Sequence, residues 1–491
     1  MRNPIKQLFG QTAVYGLGIV LPRLLNYMLL TPFYTRVFDR ATYGIITELY
    51  AYVVFLLVIL TYGMETGYFR FASGSKENGR IYTTVLSALF VTSALFISGV
   101  MIFGGPISAW MDYGDHPEYI RWLAVIVSVD AFTAIPFARI RMENRPVKYS
   151  MVRIAEVLVN IGLNLFFLWY CPNHTNSTLV SMIYHEEIGV GYVLISNLFA
   201  SLIKLLLLSG EIIKAFRYTF NKVILKSVLK YSYPLLVAGL AGTVNEALDR
   251  ILLKHMIPAD QLPMEQLGIY GANFKMAVLM TLFVQMFKYA AEPFFFSRST
   301  EKNAKELYAD VMNFFVAAGL MIFLMVNLYM EYFILFIGQG FREGAQIVPV
   351  ILMANLVMGI FFNLSIWYKL TNKTMYGAVL VIIGASVTVA VNLLFIPRYG
   401  YVASAWAHLI CYSLMVLLSF LWSKKYYDVP YKTGRIVTYM VIALMIYYFN
   451  ELFLQYIGPF RDLTSFVLLA GFGFFLWLKE RPVFIKYKNG I

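Results

Sequence analysis

The stretch Tyr231–His255, YSYPLLVAGLAGTVNEALDRILLKH, starts as an apolar run long enough to cross a bilayer and ends with four charges in eleven residues. A run of this length crosses a hydrocarbon core of about 30 Å as a helix. The charges therefore mean one of two things. Either the segment is not in a membrane, or Glu246, Asp249, Arg250 and Lys254 face something other than lipid. On a helix Glu246, Arg250 and Lys254 share one face, each four residues from the next.

The rest of the chain decides for the membrane. Of 491 residues, 60% are hydrophobic and only 14% charged, against roughly 25% charged in soluble domains. Apolar stretches recur from end to end, fourteen in all, from Gln11–Phe38 and Thr42–Met64 to Ile436–Phe453 and Leu463–Leu478. They lack the alternation that barrel strands require, so the expected class is all-α and polytopic, with about 14 transmembrane helices. The N-terminal MRNPIKQLFGQTAVYGLG has no small-residue cleavage site and is read as the start of the first span rather than a signal peptide.

An even number of spans puts both termini on one side. With a cytoplasmic N-terminus, 28 of the 40 Lys and Arg residues fall in inner loops, 8 lie outside and 4 (Arg23, Lys204, Lys275 and Lys288) fall within spans. That bias is the positive-inside pattern. It also accounts for the net charge of +13 without nucleic acid, which would call for a soluble basic domain. Inner loops of this kind can lie against anionic membrane lipids.

The chain repeats itself. ATYGI (Ala41–Ile45) matches GIYGA (Gly268–Ala272), with Tyr43 and Tyr270 227 residues apart. NLFF at Asn164 matches NLLF at Asn392, 228 apart, and GYV at Gly191 matches GYV at Gly400, 209 apart. The drop of 19 is what an extra loop near Cys171–Ile188 would produce. A six-span unit repeated in the same orientation predicts an N-terminal lobe over 1–215, a C-terminal lobe over 216–430 and two added helices over 431–491. Two like-oriented bundles are expected to enclose a hydrated cavity at their interface.

Charges within spans nominate the site. Arg23 follows Pro22, an expected helix kink, near the middle of the first span. A buried arginine there costs at least ~2.5–3.5 kcal/mol unless it meets water or a counter-charge. Arg23, Arg250 and Lys275 are the candidate cavity cations. Asp130, Glu48, Glu246 and Asp249 are candidate ion-coupling or counter-charge acids. Asp130 is read as a proton or sodium site, a partner for Arg23, or a static counter-ion. Snorkelling to the headgroups is the competing reading for Lys254 and Arg250, and the expected one for Lys204 and Lys288. Glu65 is expected to pair with Arg70.

The sequence contains no Walker A, HExxH or GxSxG pattern, and its polar loops are too short for a catalytic domain. Cys171, His174, His185 and Glu186 share one outer loop at spacings poor for zinc, so no metal or cofactor is expected. The two cysteines, Cys171 and Cys411, form no framework.

GQTAVYGLGIVLPRLLNYMLLTPFYTRVFDRATYGI followed by GMETGYFRF resembles the start of bacterial polysaccharide biosynthesis transporters. YSYPLLVAGLAGTVNEALDRILLKHM followed by LGIYGANFKMA resembles the start of their second half, and NLLFIPRYGYVASAWAHLI also fits. Those transporters belong to the multidrug/oligosaccharidyl-lipid/polysaccharide (MOP) flippase superfamily. The resemblance spans the chain and implies two six-helix lobes arranged as a V, two C-terminal helices and a bacterial inner-membrane location. It implies, as substrate, an oligosaccharide on undecaprenyl pyrophosphate, flipped by alternating access for O-antigen, capsule or exopolysaccharide assembly, with a polymerase and chain-length machinery as further partners. Two alternatives stand beside it. A drug antiporter on the same fold predicts an acidic cavity. A membrane polymerase or ligase predicts a sizeable outer loop and no repeat.

Overall fold

The computed structural model describes residues 20–453 and 460–488. The start of the first span lies outside the described residues. Among those described, every regular element is helical. Eleven helices are long and apolar enough to cross a membrane, or thirteen when each of two bent pairs counts as one span. They overlie the second to fourteenth expected stretches. The chain separates into two compact units, Met1–His255 and Met256–Ile491.

In the first unit α1 (20–37) contains a π-helical turn at Asn26–Leu30, and α2 (Arg40–Thr61) begins where the Asp39 carboxylate caps the Thr42 N–H at 2.7 Å. A break at Tyr62 and Gly63, both with positive φ, leads into α3 (Met64–Ala72). Then come α4 (Asn78–Trp110), α5 (Pro117–Met142), α6 (Pro146–Leu165), α7 (Gly191–Leu207) and α8 (Lys222–Met256). Helix α5 is the centre of this unit and packs on α2, α4 and α7. Its core joins Met64, Tyr68, Tyr82, Val85, Leu89 and Ile135 with Val228 of α8. The expected extra loop is present as short helical turns at Cys171–Asn173, Thr178–Ile183 and Glu186–Ile188.

Helix α8 is fastened to the first unit by glycines. The Ser232 hydroxyl donates to the Gly63 carbonyl at 3.2 Å. A Cβ on Gly67 would lie 2.6 Å from the Ser232 Oγ and 2.8 Å from a Val228 methyl. Hence α8, which opens the expected C-terminal lobe, falls within the first compact unit.

In the second unit α9 (Pro263–Met276) and α10 (Val278–Arg298) form a pair bent by 51° at Ala277. They are followed by α11 (Ala304–Leu328), α12 (Val348–Leu364), α13 (Thr374–Tyr399) and α14 (Tyr401–Tyr426). Helices α15 (Thr433–Phe453) and α16 (Arg461–Lys488) pack on α11.

The sequence repeat has matching local geometry. Tyr43 and Tyr270 are both fully buried, as are Asn164 and Asn392. Each asparagine donates Nδ2 to the carbonyl four residues earlier, Asn160 or Thr388, at 2.8 Å. Each accepts a hydroxyl at Oδ1, from Tyr34 at 2.8 Å or Ser404 at 2.9 Å. These bonds satisfy a buried amide that the bilayer would otherwise leave unpaired.

The loops expected on the inner side are partly structural. Glu211 is buried and takes Arg145, Lys148 and Lys214 at 2.6–2.7 Å. Burial opposes ionisation of Glu143, but hydrogen bonds from Arg139 and Arg145 outweigh it and hold the carboxyl below its ordinary range. Glu65 pairs with Arg141, not with the expected Arg70, because α3 lies against the end of α5.

Gly67→Ala is expected to destabilise the purified protein by about 1–3 kcal/mol through overpacking against α8. Gly99→Ala, whose added methyl meets open space, is expected to be neutral or stabilising by up to about 1 kcal/mol. Thermal unfolding of the two variants in the same detergent measures the difference.

Candidate functional site

Three successive helices bring charge into the interior of the first unit. Asp130 lies midway along α5, Arg153 and Glu156 on α6, and Ser201 and Lys204 on α7. The Lys204 ammonium, 1% exposed, bonds Asp130 at 2.5 Å and Glu156 at 2.6 Å. Ser201 donates to the same Asp130 oxygen at 2.9 Å, and Arg153 reaches Glu156 at 3.1 Å. The Arg153 guanidinium also stacks 4.1 Å from the Phe137 ring centroid. Two acids and two bases sum to zero, which is how a low-dielectric interior tolerates four ionised groups.

This arrangement corrects one expectation and refines another. Lys204 does not snorkel. Two carboxylates within reach hold its ammonium inside, and leaving them would strip Asp130 of the base it pairs with. Asp130, expected to be an ion site or a counter-charge, has Lys204 as its base. An ammonium thus occupies the space between Asp130 and Glu156 where a free cation would bind. Among the described residues no group of three or more His, Cys, Asp or Glu side chains is placed to hold a metal ion.

A second constellation surrounds Lys254, near the C-terminal end of α8. Its ammonium bonds the Met111 carbonyl at 2.6 Å and pairs with Glu48 at 3.2 Å and Asp112 at 3.4 Å. It also sits 4.6 Å from the Tyr113 ring centroid. Glu48, wholly buried on α2, accepts the Tyr113 hydroxyl at 2.5 Å. The turn Met111–Tyr113 supplies three of these partners. Asp112 takes a positive φ of 62°, and the Tyr113 N–H returns to the Ser108 carbonyl at 2.7 Å. Burial, with the Glu48 carboxylate beside it, pushes the Tyr113 phenol well above its ordinary range, so it stays a donor to Glu48. Lys254 is therefore not a snorkelling residue. It ties α8 to α2 and to the turn after α4.

The other charges of the α8 stretch are dispersed. Asp249 is buried and lies 3.9 Å from Arg250, whose guanidinium also bonds the Glu246 carbonyl at 2.6 Å. The Glu246 side chain is exposed. Arg23 is exposed on α1, in the first unit with Arg250, whereas Lys275 is half-buried beside the bend at Ala277 in the second unit. Sequence reading named Glu48 and Asp130 but missed Tyr113 and the role of Lys204. Lys204 was findable, since Asp130, Glu156 and Lys204 enter three adjacent spans. Tyr113 carries no charge, and only the turn geometry brings it to Glu48.

No family model matches the chain, and no curated protein sequence matches it significantly. Solved structures do match. The lipid II flippase MurJ in an inward closed conformation covers 96% of this chain and all of its own length, at TM-score 0.70 and 11% identity. An inward-facing multidrug resistance MATE transporter of the MOP superfamily covers 84% of this chain and 94% of its own, at TM-score 0.64 and 12% identity. A MATE transporter in its straight conformation covers 86% and 96%, at TM-score 0.59 and 12% identity. At these identities the likeness is one of architecture: this polytopic helical chain has the fold seen in MOP-superfamily transporters.

Proposed function

We propose that the chain is a transporter that flips a lipid-linked oligosaccharide, carried on undecaprenyl pyrophosphate, across a bacterial inner membrane for surface or exopolysaccharide assembly, with both termini cytoplasmic. The observation that carries the proposal is the end-to-end correspondence with the lipid II flippase MurJ, covering 96% of this chain. The cations Arg23 and Arg250 in the first unit and Lys275 in the second are the groups assigned to the pyrophosphate. Arginine can grip such an anion through paired hydrogen bonds. A polymerase and chain-length machinery are the partners this role implies, and no catalytic step is assigned to the chain.

The multidrug transporters of the same fold support a second reading, export of small cationic compounds. That reading needs buried acid free to meet a cation. In the first unit Asp130, Glu156 and Glu48 are already matched by Lys204, Arg153 and Lys254. The balance favours an anionic substrate head. We assign Asp130 and Glu48 to counter-charge roles, with Asp249 beside Arg250.

Three outcomes are expected. Arg23→Ala leaves membrane insertion intact but removes surface polysaccharide and lets lipid-linked units accumulate, as read by glycan staining and lipid extraction. Normal export at a normal protein level would count against Arg23. Lys204→Met leaves the cluster with two carboxylates and one base, Arg153, and lowers stability by about 3–5 kcal/mol. Adding Asp130→Asn, which leaves Glu156 paired with Arg153, recovers most of the loss in thermal unfolding, and export returns with it. An exporter that regains its fold but not its activity would instead make the cluster a coupling site. Transport by purified, reconstituted protein, measured with defined lipid-linked glycans and with a cationic dye, separates the two substrate classes.

A further inference from the structure

From Ile212 to Asn245 the chain contains no acidic residue but carries Lys214, Arg217, Lys222, Lys226 and Lys230. Lys214 is spent on Glu211. Lys222, Lys226 and Lys230 are all exposed and stand four residues apart along α8, one above the other on a single face. Among the described residues none of these three makes an ion pair, unlike Lys148, Lys204, Lys214 and Lys254.

Beside the lysine face runs an apolar groove of about 830 Å³. Leu225, Leu229 and Tyr233 of α8 form one wall, and Tyr62, Ala88 and Val91 of the α2–α4 region form the other. Leu225, Leu229 and Tyr233 each stand three residues after a lysine, so the basic row and the groove wall are adjacent strips of the same helix. The volume falls in the ~300–1,000 Å³ range of sites that hold organic ligands. Helix α8 has 35 residues. At about 1.5 Å per residue it exceeds a hydrocarbon core of about 30 Å, so its first turns stand at headgroup level.

We propose that this strip is a binding site for an acidic diacyl phospholipid, with its phosphate on Lys222, Lys226 and Lys230 and its acyl chains in the groove. Charge complementarity selects the head, and burial of apolar chain holds the tail. The row is made of lysines, point charges spread over three helical turns. It lacks the arginine fork that grips a single pyrophosphate, which favours an ordinary acidic lipid over the transported one. The inference is independent of what the chain transports. The lipid held there would bear on α8, and so on the Ser232–Gly63 and Lys254–Glu48 contacts at either end of that helix.

The test uses the full-length protein purified in mild detergent. It is mixed with dioleoylphosphatidylglycerol or with dioleoylphosphatidylcholine, and retained lipid is counted by native mass spectrometry. The parent protein retains the acidic lipid in preference. Lys222→Gln/Lys226→Gln/Lys230→Gln lowers that retention by at least about tenfold and leaves phosphatidylcholine unchanged, while the corresponding triple arginine variant keeps the preference. Val91→Trp, at an exposed lip of the groove, lowers retention of both lipids. Equal retention of the two lipids by the parent, or undiminished phosphatidylglycerol on the glutamine variant, overturns the proposal. So does displacement of phosphatidylglycerol by an equal concentration of undecaprenyl phosphate, which would make the strip a substrate site. Single Lys226→Gln supplies the same comparison at a several-fold smaller effect if the triple variant does not fold.

Discussion

A charge taken out of water must find an opposite charge or remain wet, and in a chain with 14% charged residues among long apolar helices that constraint organises the interior. Lys204 shows it most directly. The ammonium is closed off from solvent, and it is stable there because α5 and α6 each present a carboxylate at hydrogen-bonding distance. The three helices are therefore held in register by one cation as well as by their apolar faces. Lys254 repeats the device nearer the C-terminal end of α8, where Glu48, Asp112, a carbonyl and an aromatic face share one ammonium.

The two clusters have different mechanical consequences. The Asp130–Lys204–Glu156 network joins helices that also pack along their lengths, so it stiffens a bundle that is already closed. The Glu48–Lys254 cluster holds α8 through polar contacts near one end of the helix, while Gly63 and Gly67 admit Ser232 and Val228 near the other. Between Ser232 and Thr243 α8 has no buried residue, whereas Thr243, Asn245, Ala247, Asp249 and Leu253 are buried toward its C-terminal end. A helix held at two places by small or polar contacts costs less to shift than one sealed along its length. That property suits the transport role proposed for the chain, and it is why the proposed lipid strip on α8 has functional weight.

The repeat supplies a second organising element. The paired asparagines Asn164 and Asn392 are both buried and make the same backbone bond, though their hydroxyl partners come from different spans, and the paired tyrosines Tyr43 and Tyr270 are both buried. Polar groups buried in a bilayer-spanning fold have few acceptable partners, so these positions are more constrained than the apolar ones between them, where Leu, Ile, Val and Phe serve alike. The short matches that betray the repeat in the sequence are therefore the ones with a structural job.

The sequence by itself determined the all-helical membrane class, the thirteen spans found among the described residues when each bent pair counts as one, the extra loop near Cys171, and Glu48 and Asp249 among the buried charges. Each of these depends on local composition or on spacing along one helix, which hydropathy and the 3.6-residue period record directly. Pairing was decided only by the tertiary structure. Lys204 turned inward to Asp130 and Glu156, Glu65 went to Arg141, Lys254 went to Glu48, and an uncharged turn residue, Tyr113, entered that cluster. Ion-pair energy falls with distance in three dimensions, and the helix rotations and depths that set those distances are fixed by packing between segments far apart in the chain.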